Sequence, residues 1–440
     1  MKQSANSWTL IEAVRVIDPY RGFDEKGDVL IGEGTFQDAT MTPRGSVNKV
    51  SGKGLWLVPR LMDMHVHFRA PGQEWKEDIT SGAMAAAHGG FSVVATMPNT
   101  APVVDSASLV RWQQQEAEQL GLVDIVPLGA VTKGSRGEEL AELWTMERAG
   151  AVGFSDDGRP VSSGAIMRAA LSYSRTLGHP IIQHAEDLSL THRAVMHEGQ
   201  VSGRLGLTGA PAEAESAMVW RDVQLAALTG GRLHVAHLSS PGSLEAVDWA
   251  KRRGLAVTAE VTPHHLYFTD ERVASPAYDT ASKVNPPLRS EEIRQALVKA
   301  LASGLIDAVA SDHAPHHADE KEGAYVDAPF GISGLETAVA AVMSVILDAA
   351  VMTPLDLFER MTRAPHRILN LPYRGTVPGE SADFALIDPG RRWRVEPTHW
   401  YSKGKNSPFM GMELVGQVIA TMRRGRWIMQ EGEVGACVQP

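Results

Sequence analysis

Two histidines one residue apart, His65 and His67, close a short apolar run, LMDMHVH (61–67). On a strand, alternation points both imidazoles to one side. An isolated pair of this kind is more often structural than a ligand. Groups of the same chemistry, however, end later apolar runs: Asp156 and Asp157, His184, His237, and Asp312 beside His313. Each alone has an ordinary reading. A buried histidine usually satisfies a hydrogen bond, and Asp-Asp-Gly is usually a turn or a helix cap. As a set, imidazoles and carboxylates suit Zn2+ or a similar divalent ion. Six such groups exceed the needs of one ion, which points to two ions about 3.5–4 Å apart with a carboxylate bridging them. Such a pair acidifies a shared water to a pKa of about 7 and polarises a carbonyl, the chemistry of amide or ester hydrolysis. Asp312 is the carboxylate best placed to take the proton and pass it to a leaving nitrogen.

These groups cooperate only if the fold brings the run ends together. Eight apolar runs recur, at 61–67, 91–97, 123–131, 151–155, 180–184, 233–238, 256–262 and 306–311. Longer amphipathic stretches lie between them, among them 75–88, 138–149, 164–178, 212–229, 290–303 and 334–349. Strand–helix alternation implies a parallel sheet. Eight repeats imply an α/β fold of the closed (β/α)8, TIM-like kind, with its site at the C-terminal strand ends. An open doubly wound sheet is the alternative. Residues 8–58 and 375–433 read as short strand pieces broken by Gly and Pro. They predict a small β-sandwich domain built from both termini. The expected division is 1–58 with 375–440 for that domain, and 59–374 for the metal-dependent barrel.

Composition narrows the partners. The 440 residues are 43% hydrophobic and 21% charged, with a formal net charge of −10. This is ordinary globular composition, sufficient for a large barrel and an accessory unit. No Lys/Arg block stands out, which argues against nucleic acid. No stretch approaches the ~20 apolar residues of a membrane span, and the first residues lack an apolar signal core. The single cysteine, Cys437, permits no intrachain disulfide and fits a reducing compartment. A cytoplasmic protein is expected. With 16 His and one Cys, a metal site would use imidazole and carboxylate.

At these residues the sequence resembles the amidohydrolase superfamily, and more closely the dihydroorotase family of the type with a barrel and a composite β domain. The matching stretches include DMHVHFRAPGQEWKED (63–78), TMPNTAPVVD (96–105), FSDDGRP (154–160), QHAED (183–187), VAHLSS (235–240) and AEVTPHHL (259–266). They continue through KVNPPLR (283–289), SDHAPH (311–316), APFGISGLET (328–337), SADFALID (381–388) and SKGKNSPFMG (402–411). The resemblance covers most of the chain in the right order.

It implies that His65 and His67 bind a first metal with Asp312, and His184 and His237 a second. Asp157, rather than Asp156, would bridge them, where hydantoinases use a carboxylated lysine. Asp312 would double as general acid and base. Arg69 would bind a substrate carboxylate with its planar fork. Asn99 and Asn285 would hydrogen-bond substrate, and His316 would complete the carboxylate pocket. The ordinary reading of both asparagines is turn chemistry, and that of Arg69 a surface ion pair. The resemblance makes His264 and His265 structural. The run 314–331 reads either as a mobile loop over the site or as a solvated connection. Two departures stand out: Arg60 where the family usually has glycine, and Ala70 where it has glutamate.

The implied activity is reversible, zinc-dependent cyclisation of N-carbamoyl-L-aspartate to L-dihydroorotate in pyrimidine synthesis, with two Zn2+ ions per subunit. The alternatives are another cyclic amidohydrolase (an allantoinase or a hydantoinase) and a silent, scaffold-like homologue. A homodimer is expected, and a complex with an aspartate carbamoyltransferase stays open.

Overall fold

The computed structural model describes residues 8–435 apart from 44, 277, 348 and 349. Cys437 lies outside the described residues. All eight apolar runs form strands, each shorter than its run: Met62–Val66, Val93–Thr96, Asp124–Pro127, Phe154–Ser155, Ile181–Gln183, Leu233–Val235, Val257–Val261 and Ala308–Val309. The first three pair in parallel as one sheet and the last five as another. Single parallel bridges, Gly129 to Phe154 and Val66 to His313, join the two sheets at both edges. Nearly every residue of these strands is buried, as both faces are covered.

Helices follow the strands and cover them from outside. The stretch 75–88 is helical only over Ile79–His88, because Asp78 caps it and accepts from the Ser81 amide. Likewise 138–149 narrows to Leu143–Arg148, since Leu140 instead bridges Thr132. Gly164–Leu177, Glu213–Thr229 and Glu291–Ser303 match their stretches closely. Each ends on a left-handed glycine, Gly178, Gly230 or Gly304.

The two ends of the chain do share a β unit, but as one continuous sheet rather than a sandwich of two. Trp56–Pro59 pairs antiparallel with Phe384–Arg394, placing Leu57 opposite Leu386 and so joining both ends. Two strands are also longer than the broken sequence suggests: Trp8–Asp18 and Phe23–Gly32 span 11 and 10 residues. Trp8–Asp18 branches the sheet, with Phe23–Gly32 on one side and Val47–Ser51 then Trp56–Pro59 on the other. The unit has its own core, in which the Phe384 ring meets Phe36 at 6.1 Å and Trp427 at 5.7 Å.

Arg60 explains its departure from glycine. Its φ is 41°, the left-handed region that glycine usually fills. A side chain there costs roughly 1–2 kcal/mol. In return the guanidinium pairs with Asp383 of the composite sheet and with Asp124 of the third parallel strand, and stacks on Tyr373. It ties the two units together where a glycine could not. Among the described residues no helix is long and apolar enough to cross a membrane.

Candidate active site

The strand ends converge. His65 and His67 leave the first strand, Asp157 the fourth, His184 the fifth, His237 the sixth and Asp312 the eighth. All six are buried. Ligand-type atoms of His65, His67 and Asp312 lie within 4.8 Å of one another, as do those of His65, Asp157 and His237. His184 adjoins the second group, its Nδ1 2.9 Å from His237 Nε2 and 3.6 Å from Asp157 Oδ1. Asp156 points away and accepts from the Thr132 amide and hydroxyl. Of the aspartate pair, only Asp157 faces the cluster.

Partners fix which atom of each ring faces inward. His65 Nδ1 donates to Glu260 Oε1 at 2.6 Å, and His67 Nδ1 donates to Asn99 Oδ1 at 2.8 Å. Each ring therefore turns an Nε2 lone pair inward. That of His67 lies 3.2 Å from Asp312 and 3.4 Å from Asp157; that of His65 lies 3.5 Å from both. His184 turns Nε2 to Glu186 at 3.2 Å and Nδ1 toward the cluster. The cluster is thus a ring of acceptors facing acceptors. Of these inward atoms, His65 Nε2 and Asp157 Oδ1 are buried without a hydrogen-bond partner. Buried acceptors in this state call for a cation.

The titration behaviour agrees. Burial alone would raise the Asp157 and Asp312 pKa values, but the surrounding imidazoles hold both below the usual carboxylate range. Burial opposes charge on His184 too, yet Asp157 and Glu186 bring its pKa up to about 10. The carboxylates pull positive charge into the cluster.

A cleft of about 210 Å3 opens over this cluster and is lined also by Arg69, Asn99, Asn285 and His316. All ten residues singled out from the sequence thus line the cleft or, for His65, lie directly beneath it. Arg69 is buried, not part of a surface ion pair, and has no carboxylate partner among the described residues. Its Nε donates to Pro315 O at 3.3 Å. The two asparagines and His316 are more engaged than the sequence implies. Asn99 uses its oxygen on His67, Asn285 donates to Glu186 at 2.9 Å, and His316 Nε2 donates to Phe330 O at 2.8 Å. Burial, aided by Arg69, lowers the His316 pKa to about 3, so its ring is neutral. Arg69, His237 and Asp312 all hold positive φ, at 60°, 32° and 48°. Strained backbone of this kind clusters where geometry is functional.

Three supporting residues escaped the sequence reading. Glu260 orients His65 and lies 3.3 Å from His234. Asp63 accepts from the His65 and Ser311 amides, tying the first strand to the eighth. Glu77, on the loop after the first strand, meets His313 at 3.3 Å. The available signal was an acidic residue inside an apolar run, as in Ala-Glu-Val at 259–261. Such a charge has no reason to be buried unless something needs it. His265 is structural as expected, bonded to Thr262 and to Pro286 O. The run 314–331 is neither bare loop nor wholly solvated. It contains the short helix Ala318–Lys321 and lines the cleft at Ala314, His316, Phe330 and Gly331.

Comparison with solved structures gives the fold. The fold matches an L-hydantoinase (dihydropyrimidinase) from Arthrobacter aurescens with a TM-score of 0.85 at 24% identity, covering 97% of each chain. It also matches a dihydropyrimidinase from Brevibacillus agri with a TM-score of 0.82 at 20% identity, covering 97% of this chain and 96% of that one. That fold carries the His/Asp cluster in a cleft at the strand ends. Sequence makes the assignment particular. Residues 54–243 match the family model described as dihydro-orotase-like. A dihydroorotase from Pelotomaculum thermopropionicum is 48% identical, and one from Anaeromyxobacter dehalogenans 46% identical, each covering 96% of this chain and 98% of the relative. The chain belongs to the dihydroorotase family.

Proposed function

We propose that the chain interconverts N-carbamoyl-L-aspartate and L-dihydroorotate in pyrimidine synthesis, on a closed (β/α)8 barrel spanning 59–374 with a composite β unit from 1–58 and 375–440. The bridges at both sheet edges support closure. One observation carries the substrate reading: a buried guanidinium, Arg69, stands beside the acceptor cluster without an anion of its own. A desolvated, unpaired cation facing a cleft is costly unless the ligand brings the counter-charge. A cyclic amide bearing a carboxylate fits both halves of the cleft. Hydantoin and allantoin, which carry no carboxylate, leave Arg69 unsatisfied.

The residues fit two divalent ions, for which Zn2+ is our reading. His65, His67 and Asp312 would hold one, His184 and His237 the other, with Asp157 between them. Bound there, the ions would supply Lewis acidity toward a carbonyl and toward water. The protein does the rest. Glu260, Asn99 and Glu186 keep the imidazoles in the required tautomers. Asp312, ionised at neutral pH, accepts the proton of the attacking water and returns it to the leaving ring nitrogen. In the closing direction it takes the proton from the carbamoyl nitrogen. Arg69 holds the free carboxylate, and the asparagine amides face the ring.

Purified, metal-loaded protein is expected to turn over L-dihydroorotate and leave hydantoin and allantoin unchanged. The reverse pattern would overturn the substrate reading. Less than about half an equivalent of tightly held metal would favour a silent scaffold. The homodimer, the aspartate carbamoyltransferase complex and the cytoplasmic location remain expectations; light scattering with and without the second enzyme tests the first two.

A further inference from the structure

The stretch SKGKNSPFMG (402–411) lies far from the strand ends in sequence. Residues 402–406 belong to no strand or helix, yet Ser402, Gly404 and Asn406 are buried. They leave the composite sheet between Phe384–Arg394 and Glu413–Arg423 and run against the loop that follows the eighth parallel strand.

Asn406 is the hub. Its Oδ1 accepts from the His316 amide at 3.2 Å, and its Nδ2 donates to Gly331 O at 3.0 Å. Its own carbonyl accepts from the Ser333 amide at 2.9 Å. His316 and Gly331 both line the cleft and lie against each other. One side chain therefore ties both lining residues and fixes where they stand. Nothing on the Asn406 side chain reaches the His/Asp cluster.

Gly404 closes the gap beside Pro315. A Cβ there would stand 2.7 Å from the Pro315 Cβ, 2.8 Å from Asn406 Oδ1 and 2.9 Å from Ser333 Oγ. The Pro315 carbonyl is the group that Arg69 Nε donates to. Pressure at 404 thus reaches Arg69 through Pro315, and pressure at 406 reaches His316 through its amide. Gly331 beside it is equally constrained. Gly331 has φ 124°, and a Cβ on it would meet Ala314 O at 2.6 Å and His316 Nε2 at 3.1 Å.

We propose that Asn406, seated by Gly404, is a specificity-determining positioning residue: it fixes His316 and Gly331 in the corner where Arg69 receives the substrate's free carboxylate. This rests on the carboxylate reading of Arg69. The composite sheet, which contributes no residue to the cleft lining described above, thereby helps decide what the cleft accepts.

The test uses metal-loaded full chain and two ligands that differ in one group. N-carbamoyl-L-aspartate carries the α-carboxylate; N-carbamoyl-β-alanine lacks it. Calorimetry of wild type should show clear preference for the first, and equal affinity would overturn the Arg69 reading itself. Losing one or two well-placed hydrogen bonds is worth about tenfold in affinity. Asn406→Ser should therefore weaken N-carbamoyl-L-aspartate about tenfold and N-carbamoyl-β-alanine less than threefold. Metal content should stay as in wild type. With L-dihydroorotate, KM should rise while kcat stays within threefold. Gly404→Ala, which adds bulk instead of removing a bond, should give the same selective loss. Equal weakening of both ligands, or no change in either variant, overturns the proposal in favour of a purely structural segment.

Discussion

The metal-type cluster and the carboxylate corner share one cleft but are held by different means. The cluster stands on strand ends, and carboxylates or amides from nearby strand ends brace three of its imidazoles: Glu260 behind His65, Asn99 behind His67, Glu186 behind His184. The corner stands on loops. Arg69 follows the first strand, His316 and Gly331 follow the eighth, and Asn406 arrives from the far end of the chain. Their electrostatics are opposite too. The cluster turns acceptors inward; the corner presents a buried guanidinium. Bond cleavage needs placement to a fraction of an ångström, which strands supply, whereas loops can vary the substrate without disturbing it.

The largest expected effect separates the two regions at Asp312. Asp312→Asn should cut L-dihydroorotate turnover about a thousandfold, within the usual span for a lost general acid–base. N-carbamoyl-L-aspartate should still bind, because Arg69 is untouched. A loss under tenfold would refute the proton-transfer role. Glu260→Gln should act on the cluster alone. An orienting carboxylate behind a metal-binding histidine is worth about 10- to 100-fold in metal affinity. A chelator competition titration should show that weakening, with KM nearly unchanged at saturating metal. Arg69→Met is the mirror case. A charge-assisted bidentate contact contributes about 1.5–3 kcal/mol, so KM should rise roughly 10- to 100-fold. Metal content should not move. A coupled loss of metal in Arg69→Met would show that the two regions are one unit after all.

The cluster was far more legible in the sequence than the corner's support. Its six groups stand at the ends of five apolar runs, so a count of runs and a rule about strand ends brought them together, and the family resemblance then chose Asp157 over Asp156. Arg69 and His316 needed the family resemblance, since an arginine or histidine on a loop has no signature of its own. Glu260, Asp63 and Glu77 were hidden because their partners lie as far away as Ser311, 248 residues from Asp63. Periodicity reports which face a residue takes, not what it meets across the fold. The β unit shows the same limit. Its Gly and Pro breaks read as short pieces, while pairing across the chain's two ends kept Trp8–Asp18 extended over 11 residues.

The smallest expected effect probes how the loop side is tied. Lys321 is 8% exposed and donates to Pro329 O at 2.7 Å and Thr280 O at 3.1 Å. It holds the stretch that leads to Phe330 and Gly331. Burial, with Lys283 nearby, lowers its pKa from 10.5 to about 7. The unfolded chain therefore binds this proton between about pH 7 and 10.5 while the folded chain releases it. Stability from this group then rises with pH above 7 and is least below it. Lys321→Met removes the titration. The difference in urea-unfolding free energy between wild type and variant cancels every group they share. From pH 6.5 to 9 that difference should shift by about 2.5 kcal/mol in favour of wild type, given 1.36 kcal/mol per pKa unit. A difference that stays flat would mean the lysine keeps its proton in the folded state. In that event the loop is held by a permanent charge, and the corner is as fixed against pH as the strand ends beside it.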